Sequence, residues 1–230
     1  MKPKMFVTAL ATGLLAASAQ AAVLSTSYGW EDGSGTILSS FGNIASPANV
    51  STGDEVSNAS TIYTGVTPHT GSQMLTISEN PHDGTPEAYL AYIENLQAGD
   101  VVTASFYGWD STSSSPSMRI WGHWALNGDV DSYDSSASGS STYTSGGWSQ
   151  VSYTWTVTTQ EALVIEARLY SSPSDSGGPS SYFIDDLTVE VTTAGNTARI
   201  TTPGGTTAIP EPASLVLLGM GVLTIAIRRR

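Results

Sequence analysis

Aromatic and charged side chains occupy alternate positions in three segments that the sequence predicts as β-strands. Alternate residues of a strand point to the same side, so each segment presents one such set on the face away from the core. The sets are Tyr107 and Trp109; Arg119, Trp121 and His123; and Glu166, Arg168 and Tyr170. Aromatic rings stack on the apolar faces of sugars, while Arg, Glu and His fix hydroxyls or carboxylates by directed hydrogen bonds. These residue types therefore indicate a surface that binds a polysaccharide.

Two other interpretations of this surface stay open. Glu166 could pair with an arginine only to make the sheet soluble, and the aromatic rings could lie under a loop such as residues 131–147. Catalysis is a further alternative, either by Glu166 with a second carboxylate as a glycosidase pair or by His123, Arg119 and Tyr107 as a polysaccharide lyase. The histidines show no metal-site spacing and the chain has no G-x-S-x-G motif, so we expect no enzymatic activity.

The elements that must position these residues are β-strands. Apolar and polar residues alternate strictly over 150–158, and similar segments occur at 22–30, 74–77, 88–93, 100–109, 117–126, 162–172 and 181–191. Such strand-length segments separated by Ser/Gly-rich turns, with no helical pattern among them, are typical of an antiparallel sandwich. The sequence predicts one all-β domain over residues 22–191, an antiparallel jelly-roll sandwich.

The last five predicted strands allow a sheet assignment. If segments 100–109, 117–126, 150–158, 162–172 and 181–191 are consecutive jelly-roll strands, the first, second and fourth share one sheet. The third and fifth then lie in the other sheet, and segment 150–158 offers only Gln, Ser and Thr outward. This assignment places the complete set of candidate ligand residues on one face.

Acidic residues raise the question of a bound metal. Asp185 alternates with Leu187 and Val189 and therefore points inward, where an unpaired carboxylate costs several kcal/mol. It must be metal-bound, protonated or paired, for example with backbone N–H groups at the rim of the sandwich. Residues 127–133 have the spacing of a calcium loop, but Ser132 and Ser138 stand where glycine and glutamate are needed, which favours a solvated acidic loop.

Four short motifs follow one another in the predicted domain: GWEDG at 29–33, GSQMLTI at 71–77, GDVVTASF at 99–106 and YFIDDL at 182–187. Together they resemble jelly-roll carbohydrate-binding modules that carry a structural calcium. The resemblance implies a sandwich fold, a carbohydrate ligand, and a calcium ion held by Glu31, Asp185 and backbone carbonyls.

The C-terminus carries a three-part pattern: Pro210, Glu211 and Pro212, an apolar segment at 213–227, and Arg228, Arg229 and Arg230. This pattern resembles the PEP-CTERM sorting signal of Gram-negative bacteria, which implies cleavage near the Pro-Glu-Pro turn by an exosortase, a membrane protease. A helix over 213–227 would be about 22 Å long, shorter than the ~30 Å hydrocarbon core. We therefore expect a sorting signal over 210–230 whose apolar segment forms a short, transient transmembrane helix, stopped by the arginines. A permanent C-terminal anchor is the alternative.

The N-terminus predicts a cleavable signal helix. Lys2 and Lys4 precede an apolar run at 5–17, and Ala19 and Ala21 provide the small residues read by signal peptidase. We expect residues 1–21 to be removed, although a first membrane helix is the alternative. Residues 192–209 are rich in Thr and Gly and predict a flexible spacer between the domain and the sorting signal.

The composition of the exported part limits its partners. Between residues 22 and 209 the basic residues are Arg119, Arg168 and Arg199, against 20 acidic residues in the whole chain. This charge excludes nucleic acid as a partner, and the absence of cysteine excludes disulfides. We expect a non-catalytic protein at the cell surface or in the extracellular matrix that binds exopolysaccharide. A structural or adhesive biofilm protein without a small ligand is the alternative.

Overall fold

The computed structural model describes residues 21–33, 36–42, 44, 47–50, 52–58, 61–79, 85–110, 117–144, 146–170, 180–195 and 197–209. The predicted sorting segment and, apart from Ala21, the predicted signal peptide lie outside these residues. Within them, none of the regular elements is a helix with the length and apolar character needed to cross a bilayer.

The regular elements of the described residues are β-strands, as predicted. They are β1 (Ala22–Tyr28), β2 (Ser39–Phe41), β3 (Ala48–Val50), β4 (Gly53–Asn58), β5 (Thr61–Val66), β6 (Met74–Glu79), β7 (Glu87–Glu94), β8 (Val101–Asp110), β9 (Ser117–Ala125), β10 (Ser135–Gly139), β11 (Gly147–Thr156), β12 (Ala162–Tyr170), β13 (Ser180–Thr193), β14 (Arg199–Thr202) and β15 (Gly205–Ala208). The alternation of side chains in β11 is confirmed, since Val151 and Trp155 are buried while Gln150 and Thr154 are exposed.

Two sheets face each other in a jelly-roll arrangement. The first sheet has the order β11-β8-β13-β6-β3, with β1 also paired to β13; the second has the order β10-β9-β12-β7-β14-β15, with β2 paired to β7. From β6 to β13 the chain passes repeatedly between the sheets, and the strands within each sheet pair antiparallel. The predicted jelly-roll sandwich is confirmed.

The core lies between the inner faces of the two sheets. Ala104 and Phe106 of β8 face inward from the first sheet, and Ile120 of β9 and Ile165 of β12 face inward from the second. Because residues alternate, burying these positions sends Arg119, Trp121, Glu166 and their neighbours to the outer face of the second sheet. This outer face carries the candidate site.

The predicted sheet assignment of segment 100–109 was wrong. Strand β10 lies between β9 and β11 in the chain, but its sequence SSASG has no apolar alternation and predicted a loop. Because β10 occupies a place in the jelly-roll order, β8 and β9 each take the place before the one that was predicted. The place that β8 then takes lies in the first sheet, with β11 and β13. Tyr107 and Trp109 are therefore not on the face that carries the other candidates.

The prediction of a flexible spacer over residues 192–209 was also wrong. Strand β13 continues to Thr193, β14 pairs with β7 through Arg199 opposite Glu94, and β15 extends the sheet. Ile200 is fully buried, at 0% exposure. Thr-rich sequence forms strands readily when one face is buried, and this core contact is what the composition alone does not reveal.

Candidate functional site

The candidate site lies on the outer face of the second sheet, where β7, β12 and β9 are adjacent. Arg168 of β12 lies opposite Arg119 of β9 and Glu87 of β7, and Glu166 lies opposite Trp121 of β9. This register brings together all the sequence-predicted ligand residues except Tyr107 and Trp109. These side chains point outward because successive residues of a strand point to opposite faces, and the residues between them fill the core.

Two of the predicted ligand residues form a buried floor. Glu166 is 0% exposed and His123 is 1% exposed. The ring of Tyr89 lies 5.1 Å and the ring of Tyr133 lies 5.5 Å from the ring of His123. The loop that contains Tyr133 follows β9 and folds over the sheet. Burial removes His123 and Glu166 from the surface that a ligand can contact, contrary to the expectation that they bind one.

The buried floor is held by one network of charged groups. His123 Nδ1 is hydrogen-bonded to Glu166 Oε1. Arg168 donates from Nε and Nη2 to Glu166 Oε2, at 3.2 and 3.1 Å. The Nη2 atom of Arg168 also lies 2.5 Å from Glu87 Oε1. Two carboxylates thus share one guanidinium, and Arg168 is fixed in place by both.

This sharing leaves the network short of positive charge. Burial raises the pKa of Glu87 to about 7, and the nearby Glu166 carboxylate contributes, while Arg168 offsets part of the effect. Burial also holds the pKa of Tyr89 above its usual range, with the Glu166 charge acting in the same direction. For Arg168, burial acts to lower the pKa, but Glu166 and Glu87 outweigh it and the pKa is raised.

The exposed part of the face is an aromatic box, formed by Trp121, Tyr143 and Tyr170 around Arg119. The Arg119 guanidinium carbon lies 3.8 Å from the ring centre of Tyr170, 4.8 Å from that of Trp121 and 4.9 Å from that of Tyr143. Trp121 also lies 5.0 Å from the guanidinium of Arg168. Its Nε1 donates to Ser136 Oγ of β10 at 3.2 Å, so the ring is held at the strand that the sequence did not reveal.

Tyr107 and Trp109 lie on the outer face of the first sheet, under another part of the chain. The ring of Tyr107 stacks on that of His69, with centres 3.6 Å apart and planes at 16°. Trp109 packs with Phe183 and with the small apolar cluster that contains Val66. The alternative that aromatic rings lie under another segment is therefore correct for Tyr107 and Trp109. The segment that covers them is around residues 66–69, and not the loop at 131–147 that the sequence suggested. The lyase hypothesis fails, since Tyr107 is in the other sheet from His123 and Arg119.

The glycosidase hypothesis is also unsupported by the geometry. Glu87, His123 and Glu166 are the one set of three potential metal-binding side chains among the described residues, with ligand atoms within 4.8 Å of one another. Carboxyl groups of glycosidase pairs are about 5 Å or more apart and both must reach the substrate. Glu166 is fully buried and its oxygens are bonded to His123 and Arg168. The two glutamates therefore hold the face together.

Asp185 points inward as predicted and is satisfied by backbone donors. It is 1% exposed. Its Oδ2 accepts hydrogen bonds from the N–H groups of His69 at 2.9 Å and Thr70 at 3.1 Å, and its Oδ1 accepts from Asp186 N–H at 2.8 Å. Burial raises the pKa of Asp185, and the Thr70 N–H offsets part of this effect. Pairing with backbone N–H groups at the rim, one of the states that the sequence left open for Asp185, is therefore present.

Glu31 lies at the same rim. Its Oε1 accepts from the N–H groups of Ser72 at 2.9 Å and Gln73 at 2.8 Å, and the Gln73 N–H lowers the pKa of Glu31. A Cβ atom on Gly29 would lie 3.5 Å from Asp185 Oδ1 and 3.9 Å from Glu31 Cγ. The two carboxylate side chains thus border the same glycine, and oxygen ligands of this kind fit a hard cation such as calcium.

The end of the sandwich leads directly into the C-terminal motif. Strand β15 ends at Ala208, and Pro210 begins two residues later. Residues 208–230 match the family model described as the PEP-CTERM protein-sorting motif. The chain carries a PEP-CTERM sorting motif. This motif implies export and processing by an exosortase, as the sequence pattern predicted.

The fold of this chain is similar to solved carbohydrate-binding modules and adhesin domains. The CBM22-1 xylan-binding domain from Paenibacillus barcinonensis is 14% identical with a TM-score of 0.47, covering 77% of this chain and 99% of that one. A family 35 carbohydrate-binding module from Clostridium thermocellum is 17% identical with a TM-score of 0.31, covering 72% and 96%. The K3 cleaved adhesin domain of Lys-gingipain from Porphyromonas gingivalis is 10% identical with a TM-score of 0.38, covering 74% and 99%. No curated protein sequence matches the chain.

The sequence analysis missed Tyr143 of the aromatic box, and it also missed Glu87 of the buried network. Tyr143 lies in the Ser/Thr-rich segment between β10 and β11, and its side chain is 40% exposed. Hydrogen bonds from Ser140 N–H to Ile120 C=O and from Thr144 N–H to Met118 C=O hold this segment along β9. The only signal in the sequence is an isolated aromatic residue within a stretch of small polar ones, which does not reveal its partner.

Proposed function

We propose that this PEP-CTERM protein is an exported, non-catalytic protein of the cell surface or extracellular matrix that binds a polysaccharide through the aromatic box. The observation that carries the proposal is the grouping of three partly exposed aromatic rings around an arginine on one sheet face. Rings in such a position can stack on sugar faces, and the arginine can donate hydrogen bonds to the sugar substituents.

The buried network supports this proposal because it makes the face rigid. Glu166 and Glu87 fix the Arg168 guanidinium, and Arg168 in turn lies against the ring of Trp121. A ring that is already held in place loses little conformational freedom when a ligand binds, which favours affinity. The same burial keeps the Glu166 carboxylate away from a substrate, which is why we assign this face to binding rather than to hydrolysis by Glu166.

Replacing Trp121 with alanine is expected to weaken polysaccharide binding by about 5- to 150-fold, since loss of one stacked ring costs about 1–3 kcal/mol when aromatic contacts dominate a site. Affinity gel electrophoresis against a panel of neutral and acidic polysaccharides measures the effect. The matched control is Gln150→Ala on the exposed face of the first sheet, which should bind as the wild type does. Circular dichroism checks that both variants are folded.

The same panel tests the alternative function. If the wild-type protein is retarded by no polysaccharide, the proposal is wrong and a structural or adhesive surface protein without a small ligand is favoured. If Trp121→Ala and wild type are retarded equally, binding occurs elsewhere on the domain and the aromatic box is not the site.

A structural calcium at Glu31 and Asp185 is part of the proposal. When bound, the ion would supply positive charge between two carboxylates that border Gly29. Adding calcium to chelator-treated protein at 100 times its Kd should then raise the melting temperature by about 5–10 °C. Glu31→Gln should abolish the rise, while Asp134→Asn at an exposed acidic position should keep it. An unchanged melting temperature of the wild type on chelation and on calcium addition would remove the claim.

A further inference from the structure

Arg119 is the cation of the aromatic box, and no described acidic residue forms an ion pair with it. The other arginine of the face, Arg168, is bound by Glu166 and Glu87. Arg119 also has a buried Nε atom without a hydrogen-bond partner in the part of the chain that the structure describes. A buried donor of this kind without an acceptor is unfavourable, because it has lost its hydrogen bonds to water. The site therefore contains a positive charge without an acceptor among the described residues, and since Nε is buried, the Nη atoms of Arg119 are the donors that an external acceptor can approach.

The aromatic rings do not fill this need. A ring attracts a cation through its π face, but a ring face offers no oxygen to the N–H groups. The rings of Tyr170, Trp121 and Tyr143 thus orient the guanidinium and leave its donors for another group. The planar fork of a guanidinium matches an oxyanion, with two parallel hydrogen bonds to a carboxylate as the favoured geometry.

Because the domain as a whole is negatively charged, Arg119 can attract an anionic group only by direct contact and not at a distance. The chain has 20 acidic residues, so an anionic polymer is repelled at a distance. At physiological ionic strength these distant charges are screened beyond about 8 Å, whereas a direct contact to Arg119 is not. An arginine in this setting does not attract polyanions in general, but it can select one that places its acidic group in the box.

We propose that Arg119 is the oxyanion contact of the site and that the bound polysaccharide is acidic, carrying uronate carboxylates or sulfate esters. This inference rests on the proposed polysaccharide-binding function. It adds the substrate class and assigns distinct roles within the face: Trp121, Tyr143 and Tyr170 stack and orient, Arg119 binds the acidic group, and Arg168 supports Trp121.

The test compares polysaccharides that differ only in their acidic groups. Polygalacturonate is paired with its carboxyl-reduced form, and dextran sulfate is paired with dextran, in affinity gel electrophoresis with the full folded domain. We expect at least tenfold tighter binding to the acidic member of one pair, and the pair that shows it identifies carboxylate or sulfate. Arg119→Gln should reduce this ratio to near one, and Arg119→Lys should retain only part of it, because the charge remains but the fork is lost.

The third arginine of the domain provides the matched control. Arg199→Gln removes the same charge from the exposed end of β14, and it should leave the ratio unchanged. Equal binding to both members of each pair, or a ratio that survives Arg119→Gln, overturns the inference while the proposed function stands. If the wild-type protein binds no member of a broad panel, the proposed function itself fails, so the two failures are distinguishable.

Discussion

Replacing Arg168 with methionine is expected to lower the free energy of unfolding by about 3–5 kcal/mol, because it leaves the Glu166 and Glu87 carboxylates buried together without their shared cation. Arg168 contacts both carboxylates, at 3.1 and 2.5 Å. Methionine retains most of the apolar stem of arginine, so the loss reports the charge rather than a cavity. Urea unfolding at pH 8 measures the effect.

The loss should be smaller at acid pH. The pKa of Glu87 is raised to about 7 in the folded protein from 4.5. Between these values the folded state binds more protons than the unfolded state, so the contribution of Glu87 to stability falls as pH rises through this window. A protonated Glu87 no longer needs a counter-charge, and at pH 5.5 the Arg168→Met variant should recover part of its stability relative to wild type.

Two comparisons make this prediction specific. The double variant Glu87→Gln with Arg168→Met should be more stable than Arg168→Met alone at pH 8, since one of the two uncompensated charges is gone. Arg199→Met, on an exposed strand, should change stability by no more than about 0.5 kcal/mol. A loss below 1 kcal/mol for Arg168→Met at both pH values would show that the network does not hold the face.

Replacing Ile200 with alanine is expected to destabilise the domain by about 2–5 kcal/mol, the usual cost of removing a buried aliphatic side chain. Ile200 is 0% exposed and belongs to the core between the sheets, although it lies beyond the point where the sequence pattern predicts that the domain ends. Thermal unfolding measures the change.

Strand β15, which pairs with β14 in a hairpin, provides an exposed control position for the Ile200→Ala variant. Thr206→Ala on β15 should cost no more than about 0.5 kcal/mol. If Ile200→Ala had no effect, β14 would contribute nothing to the core and residues 192–209 would behave as the flexible spacer that the sequence indicated. If the loss is as expected, the folded sheet reaches to within two residues of Pro210, and processing at the PEP-CTERM motif takes place beside a folded strand.

The candidate site shows which part of binding chemistry can be predicted from a single sequence. Alternation placed Arg119, Trp121 and Tyr170 on an outer face, and the structure confirms that placement. Alternation also predicted that the side chains of His123 and Glu166 point outward, but a side chain on the outer face can still be buried by its neighbours. Tyr133, in the loop that follows β9, lies against His123, while His123 and Arg168 contact Glu166. No local pattern in the sequence indicates these contacts.

The sequence by itself determined the all-β architecture, the inward direction of Asp185 and the C-terminal sorting motif. Each is local: it depends on a period of two residues or on a short run of residue types. Only the tertiary structure decided that β10 exists, that β8 belongs to the first sheet, and that β14 and β15 complete the second. These features depend on partners far along the chain, because a strand of small polar residues acquires its conformation from the backbone hydrogen bonds of its neighbour.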